Sequence, residues 1–209
     1  MNKIRATEVF NEWAQNGKDQ GMQKNHFESY KHIKKIIQKE TDMSRQVSFA
    51  DIGCGNGWAT GDILKESFVS EACGYDGAPK MIENALKYIK GPNFFQADLN
   101  NWNPNKKFDI IYSMEVLYYL ESPEKFIKQC YNKWLNPNGI FIGGIDHYTE
   151  NHQSLSWSED LNVNMKTKKI EEWKNILIDS GFNNVGVRQV NQNQDWKGTL
   201  IFWGKTNSL

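Results

Sequence analysis

Acids and glycines at set intervals mark one stretch of this sequence for chemistry. "FADIGCGNGWAT" carries Asp51, Gly53, Gly55 and Gly57, Asp76 ends "EACGYD", and Asp98 ends "NFFQAD". Closely spaced glycines let a backbone turn sharply and approach a ligand. A phosphate-cradling loop of the GxxxxGK[ST] type needs a lysine, and none follows these glycines. A dinucleotide fingerprint needs GxGxxG, and Trp58 stands at its third glycine, where close helix–strand packing excludes a bulky ring. Asp51, just ahead of the turn, would repel a pyrophosphate and suit an ammonium group. Asp76 can accept from both ribose hydroxyls, which fits NAD as well. Asp98 can accept from an exocyclic adenine amine, although a lone strand-end Asp is more often a turn residue.

The elements that must position these residues alternate. Short apolar runs at "VSFADI", "EACGYD", "NFFQAD", "FDIIYSM" and "IFIGGI" are separated by helical patterns over Trp58–Glu66, Pro79–Ile89 and a segment opened by Ser122-Pro123 and stopped by "NPNG". Ile170, Trp173, Ile176 and Leu177 mark a further helix, ended by Gly181. Such alternation predicts a mostly parallel sheet with helices on both faces. "NVGVRQV" and "GTLIFWGK" are joined by the short run "NQNQDWK", so this pair must be antiparallel. The first 45 residues read as helical, with Phe10, Trp13 and Ala14 on one face, the break "QNGKDQG", and then Phe27, Tyr30, Ile33, Ile36 and Ile37 at helical spacing.

The chain has 209 residues, with 25 basic and 25 acidic side chains. That balance argues against an extended nucleic-acid interface or an anionic-membrane binder. No apolar run is long enough for a membrane span, and "MNKIRATEVFNEW" lacks the apolar core of a signal peptide. The three cysteines are far apart and form no zinc pattern, so no metal is expected. A soluble cytoplasmic protein is the expectation.

"FADIGCGNG", "GYDGAPKMI", "FFQADLNNW" and "FDIIYSMEVLYYL" together resemble the class I S-adenosylmethionine-dependent methyltransferases of small-molecule type. The resemblance covers Val47 to about Gly204. It implies an α/β fold: a Rossmann-like seven-stranded, mostly parallel sheet with an antiparallel last strand. A methyltransferase domain over 46–209 and an N-terminal helical lid over 1–45 are expected. The resemblance assigns Asp51, Gly53, Cys54, Gly55, Asn56 and Gly57 to the aminocarboxypropyl part of the cofactor. It gives Asp76 and Gly77 to the ribose and Met81, Asp98 and Leu99 to the adenine. Met114 and Glu115 then stand beside the methyl group, with Trp13 as an apolar cover from the lid.

The acceptor is harder to read. Nucleic-acid amino-methyltransferases resemble one another in a proline-bearing motif after the fourth strand, and "SMEVLYYL" has none. Glu115, Tyr118 and Tyr119 there are candidates for catalysis, the tyrosines by cation–π contact or as pocket walls. After the fifth strand, "GGIDHYTENHQSLSWSEDLNVNMKT" is dense in groups able to bind or catalyse. Its position makes His147 the candidate base, with Tyr148, Glu150 and Trp157, and His26 from the lid, as substrate contacts. The expected activity is methyl transfer to N, O or S of a small metabolite. The alternatives are a protein or RNA methyltransferase and a nucleotide-binding module without transferase activity.

Overall fold

A single seven-stranded sheet realises the alternation in the computed structural model, which describes residues 3–208. The strands are β1 (Val47–Ile52), β2 (Val69–Asp76), β3 (Asn93–Gln96), β4 (Phe108–Met114), β5 (Leu135–Ile145), β6 (Asn183–Val190) and β7 (Thr199–Lys205). Their order is β3-β2-β1-β4-β5-β7-β6. β1 to β5 are parallel, and β7 lies antiparallel between β5 and β6. The order reverses between β1 and β4, and a crevice opens at the carboxyl ends of strands on either side of such a switch.

The helices are α1 (Ala6–Gln15), α2 (Met22–Glu40), α3 (Trp58–Ile63), α4 (Pro79–Tyr88), α5 (Pro123–Gln129), the single turn α6 (Trp157–Asp160) and α7 (Ile170–Ser180). All seven residues of β4 are buried, as a central strand covered on both faces requires. On one face Tyr30, Ile33, Ile36 and Ile37 of α2 pack with Ala59 and Ile63 of α3. On the other, Phe126 and Ile127 of α5 join Trp173, Ile176 and Leu177 of α7, and Trp173 stacks on Phe202 with ring centroids 5.1 Å apart. Most of α2 is therefore part of the packed layer, while its first turns and the segment before it lie over the strand ends.

Two elements depart from the sequence reading. "NPNG" does not separate helix from strand. A π turn at Cys130–Trp134 ends the helical segment, and pairing with β4 resumes at Leu135, then shifts register before Ile140. Asn138, at φ +61°, makes the turn inside this bulge. The long segment after β5 also has structure, with a 3-10 turn at His152–Ser154 and the one-turn α6.

Candidate active site

β1 runs into a turn that only glycine can make. Gly53, Gly55 and Gly57 have φ of +77°, +53° and +79°. A Cβ on Gly53 would lie 2.1 Å from Val116 Cγ2, and one on Gly55 2.7 Å from the Met22 methyl. Asp51, 2% exposed, accepts a 2.6 Å hydrogen bond from Thr60 Oγ1. Burial pushes its carboxyl up to about 7, opposed by the Thr60 bond and reinforced by the Asp76 charge. Asp76 ties the turn to β2: its Oδ2 accepts from Gly55 N at 2.9 Å and its Oδ1 from Ala78 N at 2.8 Å. Burial raises this carboxyl as well, against the backbone amides that favour its charged form.

The N-terminal segment lies directly on this turn. A Cβ on Gly77 would meet Thr7 Cγ2 at 2.6 Å. Asn11 Oδ1 accepts from Lys80 N at 2.9 Å. Buried Asp19 accepts at Oδ2 from Asn84 Nδ2 at 3.1 Å and from Asn56 Nδ2 at 3.3 Å. Trp13 is half-buried and packs edge-on against Phe10, which in turn packs edge-on against Tyr119 at 5.4 Å. Ile4 bridges Val163, and Lys3 pairs with Glu159 at 2.7 Å, pinning the cover to the segment after β5.

The acceptor side forms where β4 and β5 end together, Met114 beside Gly144. Glu115 follows β4 at φ +59°, a left-handed conformation that costs a non-glycine residue about 1 kcal/mol. Its Oε2 accepts from Tyr118 OH at 2.9 Å. Asp146 follows β5. Burial and the Asp146 charge raise the Glu115 carboxyl well above its ordinary range. Burial also raises Asp146, opposed by the Thr199 hydroxyl and by His26. His26, in the first turns of α2, is pushed down by burial and up by Asp146. Glu115 Oε1, Asp146 Oδ1, His26 Nδ1, Tyr112 OH, Asp19 Oδ1 and Asn56 Oδ1 are all buried without a hydrogen-bond partner among the described residues. Such atoms are costly unless something pairs with them. These six follow the strand ends from the glycine turn to β5.

The other sequence candidates fall into two groups. Cys54 is 4% exposed at the turn, with its thiol pushed well up by burial. Met81 is buried 3.9 Å from the position of a Gly55 Cβ, and Met114 is buried beside Gly144. Half-buried Leu99 packs on the core, while exposed Asp98 caps a 3-10 turn through Asn100 N and Asn101 Nδ2.

The expected residues after β5 are engaged within the protein. His147 is fully buried, its Nδ1 2.9 Å from Ser154 O and its Nε2 2.8 Å from Thr167 Oγ1, so neither nitrogen is free to take a proton from an acceptor. Tyr148 OH donates to Lys197 O and Gly198 O, 2.9 Å each, bracing the β6–β7 connection. Glu150 accepts from Ile170 N at the start of α7. Trp157 stacks between His147 and Trp196. The sequence reading missed Asp19, and counted Asp146 among the groups of the substrate-determining loop without a role of its own.

A cofactor with an ammonium, a carboxylate, ribose hydroxyls and adenine fits this edge. Asp51, Asp19 and Asn56 offer unpaired or poorly ionised acceptors, while the amides of Gly53, Cys54, Gly55 and Gly57 donate to Tyr75 O, Asp76 Oδ2 and Cys54 O and brace the turn. Asp76 retains lone pairs for hydroxyl donors. Residues 50–143 match the family described as "Methyltransferase domain". The malonyl-[acyl-carrier protein] O-methyltransferase of Halalkalibacterium halodurans is 30% identical over 143 residues, 61% of this chain and 52% of that protein. The chain thus spans only about half the length of this relative. A complex of the Haloferax volcanii Trm112 methyltransferase activator with a methyltransferase matches at TM-score 0.79 and 23% identity, covering 95% of this chain and 97% of that one. DhpI, solved with S-adenosylhomocysteine, matches at TM-score 0.71 and 16% identity over 96% and 95% of the two chains. Strand order is that of the fold these solved structures share, and the glycine turn lies within the stretch that matches the methyltransferase domain.

Proposed function

We propose that the protein transfers a methyl group from S-adenosylmethionine to a small-molecule acceptor bound between the ends of β4 and β5. One observation carries the reading: of the nine buried atoms without a partner among the described residues, those of Asp19 and Asn56 lie at the glycine turn and those of Glu115, Asp146 and His26 where β4 and β5 end, under a cover made by the N-terminal segment, while those of Thr41, Trp102 and Trp173 are set apart from these. That cover leaves little room for a macromolecular acceptor. Asp51 and Asp19 would take the cofactor ammonium, beside the turn that the Gly53, Cys54, Gly55 and Gly57 amides hold in shape. Asp76 would take the ribose hydroxyls, with Met81, Leu99 and Asp98 toward the adenine. When bound, the cofactor supplies a methyl carbon on positive sulfur; the acceptor lone pair bonds to that carbon and the carbon–sulfur pair stays on sulfur. The chain's own contribution is alignment and exclusion of water. Thr7 and Met22, packed on Gly77 and Gly55, must shift to admit a ligand, so the cover opens and recloses with each turnover.

The test is incubation of purified protein with methyl-labelled S-adenosylmethionine and a fractionated small-metabolite extract. Label appearing in one low-mass compound supports the reading. In parallel incubations with protein and RNA fractions, label appearing only there would transfer the protein to the macromolecular alternative.

A further inference from the structure

We infer that the acceptor is a small amine, held as its ammonium between the Glu115 and Asp146 carboxyl groups, with His26 as the base that removes its proton. The inference rests on the methyltransferase reading and deepens it. Asp146 is 8% exposed with Oδ1 unpartnered, and Glu115 Oε1 is buried and unpartnered; Glu115 N donates to Gly144 O at 2.9 Å, so the two carboxyl groups leave adjoining strand ends, each with one oxygen unpaired and near enough for the Asp146 charge to raise Glu115. An ammonium brings three N–H donors and a positive charge, which answers both atoms and their mutual repulsion.

The groups tied to these two acids by hydrogen bond or charge, directly or through Thr199, come from several elements. α2 contributes His26 and Ser29, the end of β4 Tyr112 and Glu115, and the following 3-10 turn Tyr118 and Tyr119. β5 contributes Asp146 and β7 Thr199. None is Lys or Arg. A carboxylate or phosphate acceptor would meet two acids without a fixed cation to offset them. The tyrosine pair, with ring centroids 4.4 Å apart, adds π faces suited to a cation. His26, Glu115 and Asp146 are not grouped as metal ligands, and no such group exists among the described residues.

An ammonium nitrogen has no free pair, so one proton must leave before the nitrogen can act as a nucleophile. The N–H bond electrons stay on nitrogen, the proton goes to His26 Nδ1, and a neutral amine and an imidazolium result. Burial keeps the imidazole unprotonated beforehand, and the Asp146 charge stabilises the imidazolium once it forms. The proton then passes to solvent when the cover opens.

The experiment is calorimetry on the full chain saturated with S-adenosylhomocysteine. The probes are butylamine, phenethylamine and putrescine, each against its carboxylate counterpart: valerate, 3-phenylpropionate and adipate. At least one amine is expected to bind tenfold or more tighter than its counterpart. Glu115→Gln and Asp146→Asn should each weaken that amine by tenfold or more while S-adenosylhomocysteine affinity holds. For the amine that binds, single-turnover methylation in His26→Asn should be slow at pH 7 and rise toward pH 10 as the neutral fraction of the amine grows, with amine affinity at pH 7 kept. Carboxylates binding as well as amines in the unaltered protein would overturn the inference. So would acid variants that lose only the preference for S-adenosylmethionine over S-adenosylhomocysteine, since the acids would then serve the sulfonium. A His26→Asn pH profile parallel to that of the unaltered protein would remove the base. Failure to bind S-adenosylhomocysteine at all would instead sink the methyltransferase reading.

Discussion

The glycine turn after β1 and the long segment after β5 leave the same edge of the sheet, yet they treat polar side chains in opposite ways. Around the turn, Asp51 is held in a poorly ionised state, and Asp19 and Asn56 keep buried oxygens unpaired. After Asp146, His147, Tyr148, Glu150 and Asn151 each find partners within the protein. The second segment looks richer in catalytic residue types, but its groups are committed to holding one loop against α7 and the β6–β7 connection. What distinguishes a site is polar groups left unanswered by the fold, because leaving them so costs about 1–3 kcal/mol each unless a ligand completes them.

Substitutions can break this comparison from either side. The largest effect is expected at Gly53→Ala. A left-handed alanine and the Val116 clash together should destabilise by about 2–5 kcal/mol and abolish S-adenosylhomocysteine binding. Thermal melts and calorimetry read both. Next, Asp76→Ala removes acceptors from Gly55 N and Ala78 N. It should weaken cofactor binding by about 1.5–3 kcal/mol per charge-assisted bond lost while a folded chain survives. Unchanged affinity would take the ribose away from Asp76. His147→Ala should cost about 1–3 kcal/mol of stability, through the stranded Ser154 carbonyl and Thr167 hydroxyl, and leave S-adenosylhomocysteine affinity intact. Full stability with lost turnover would restore it as the base. Trp157→Ala should be mildest, about 0.5–1.5 kcal/mol from its stacks, with no change in cofactor binding.

The same contrast explains what could be read in the sequence. The turn, Asp51 and Asp76 were legible because strand, turn and helix follow one another locally and the strand ends fix where the acids lie. Asp19 was not, since "QNGKDQG" reads as a polar break and only tertiary docking brings it back onto Asn56 and Asn84. The choice between Asp146 and His147 turned on parity. Neighbours in an extended segment point opposite ways, and the register shift inside β5 hides which of the two faces the crevice. His26 was legible as a lid residue, but its meeting with Asp146 joins positions that no local pattern connects.

Asp51 offers the most direct measurement of the central claim, that the acids gathered at the glycine turn hold the cofactor. A folded-state carboxyl raised to about 7 from about 3.9 in the unfolded chain favours the fold at low pH; that contribution is lost as pH rises between the two values. A bound ammonium would draw Asp51 into its charged form. Titrating S-adenosylhomocysteine into the protein at pH 6, in buffers of different ionisation enthalpy, should therefore show proton release. In Asp51→Asn that release should vanish and affinity fall tenfold or more, with NAD binding neither protein. Binding of NAD, or S-adenosylhomocysteine binding that is indifferent to Asp51→Asn, would contradict the claim.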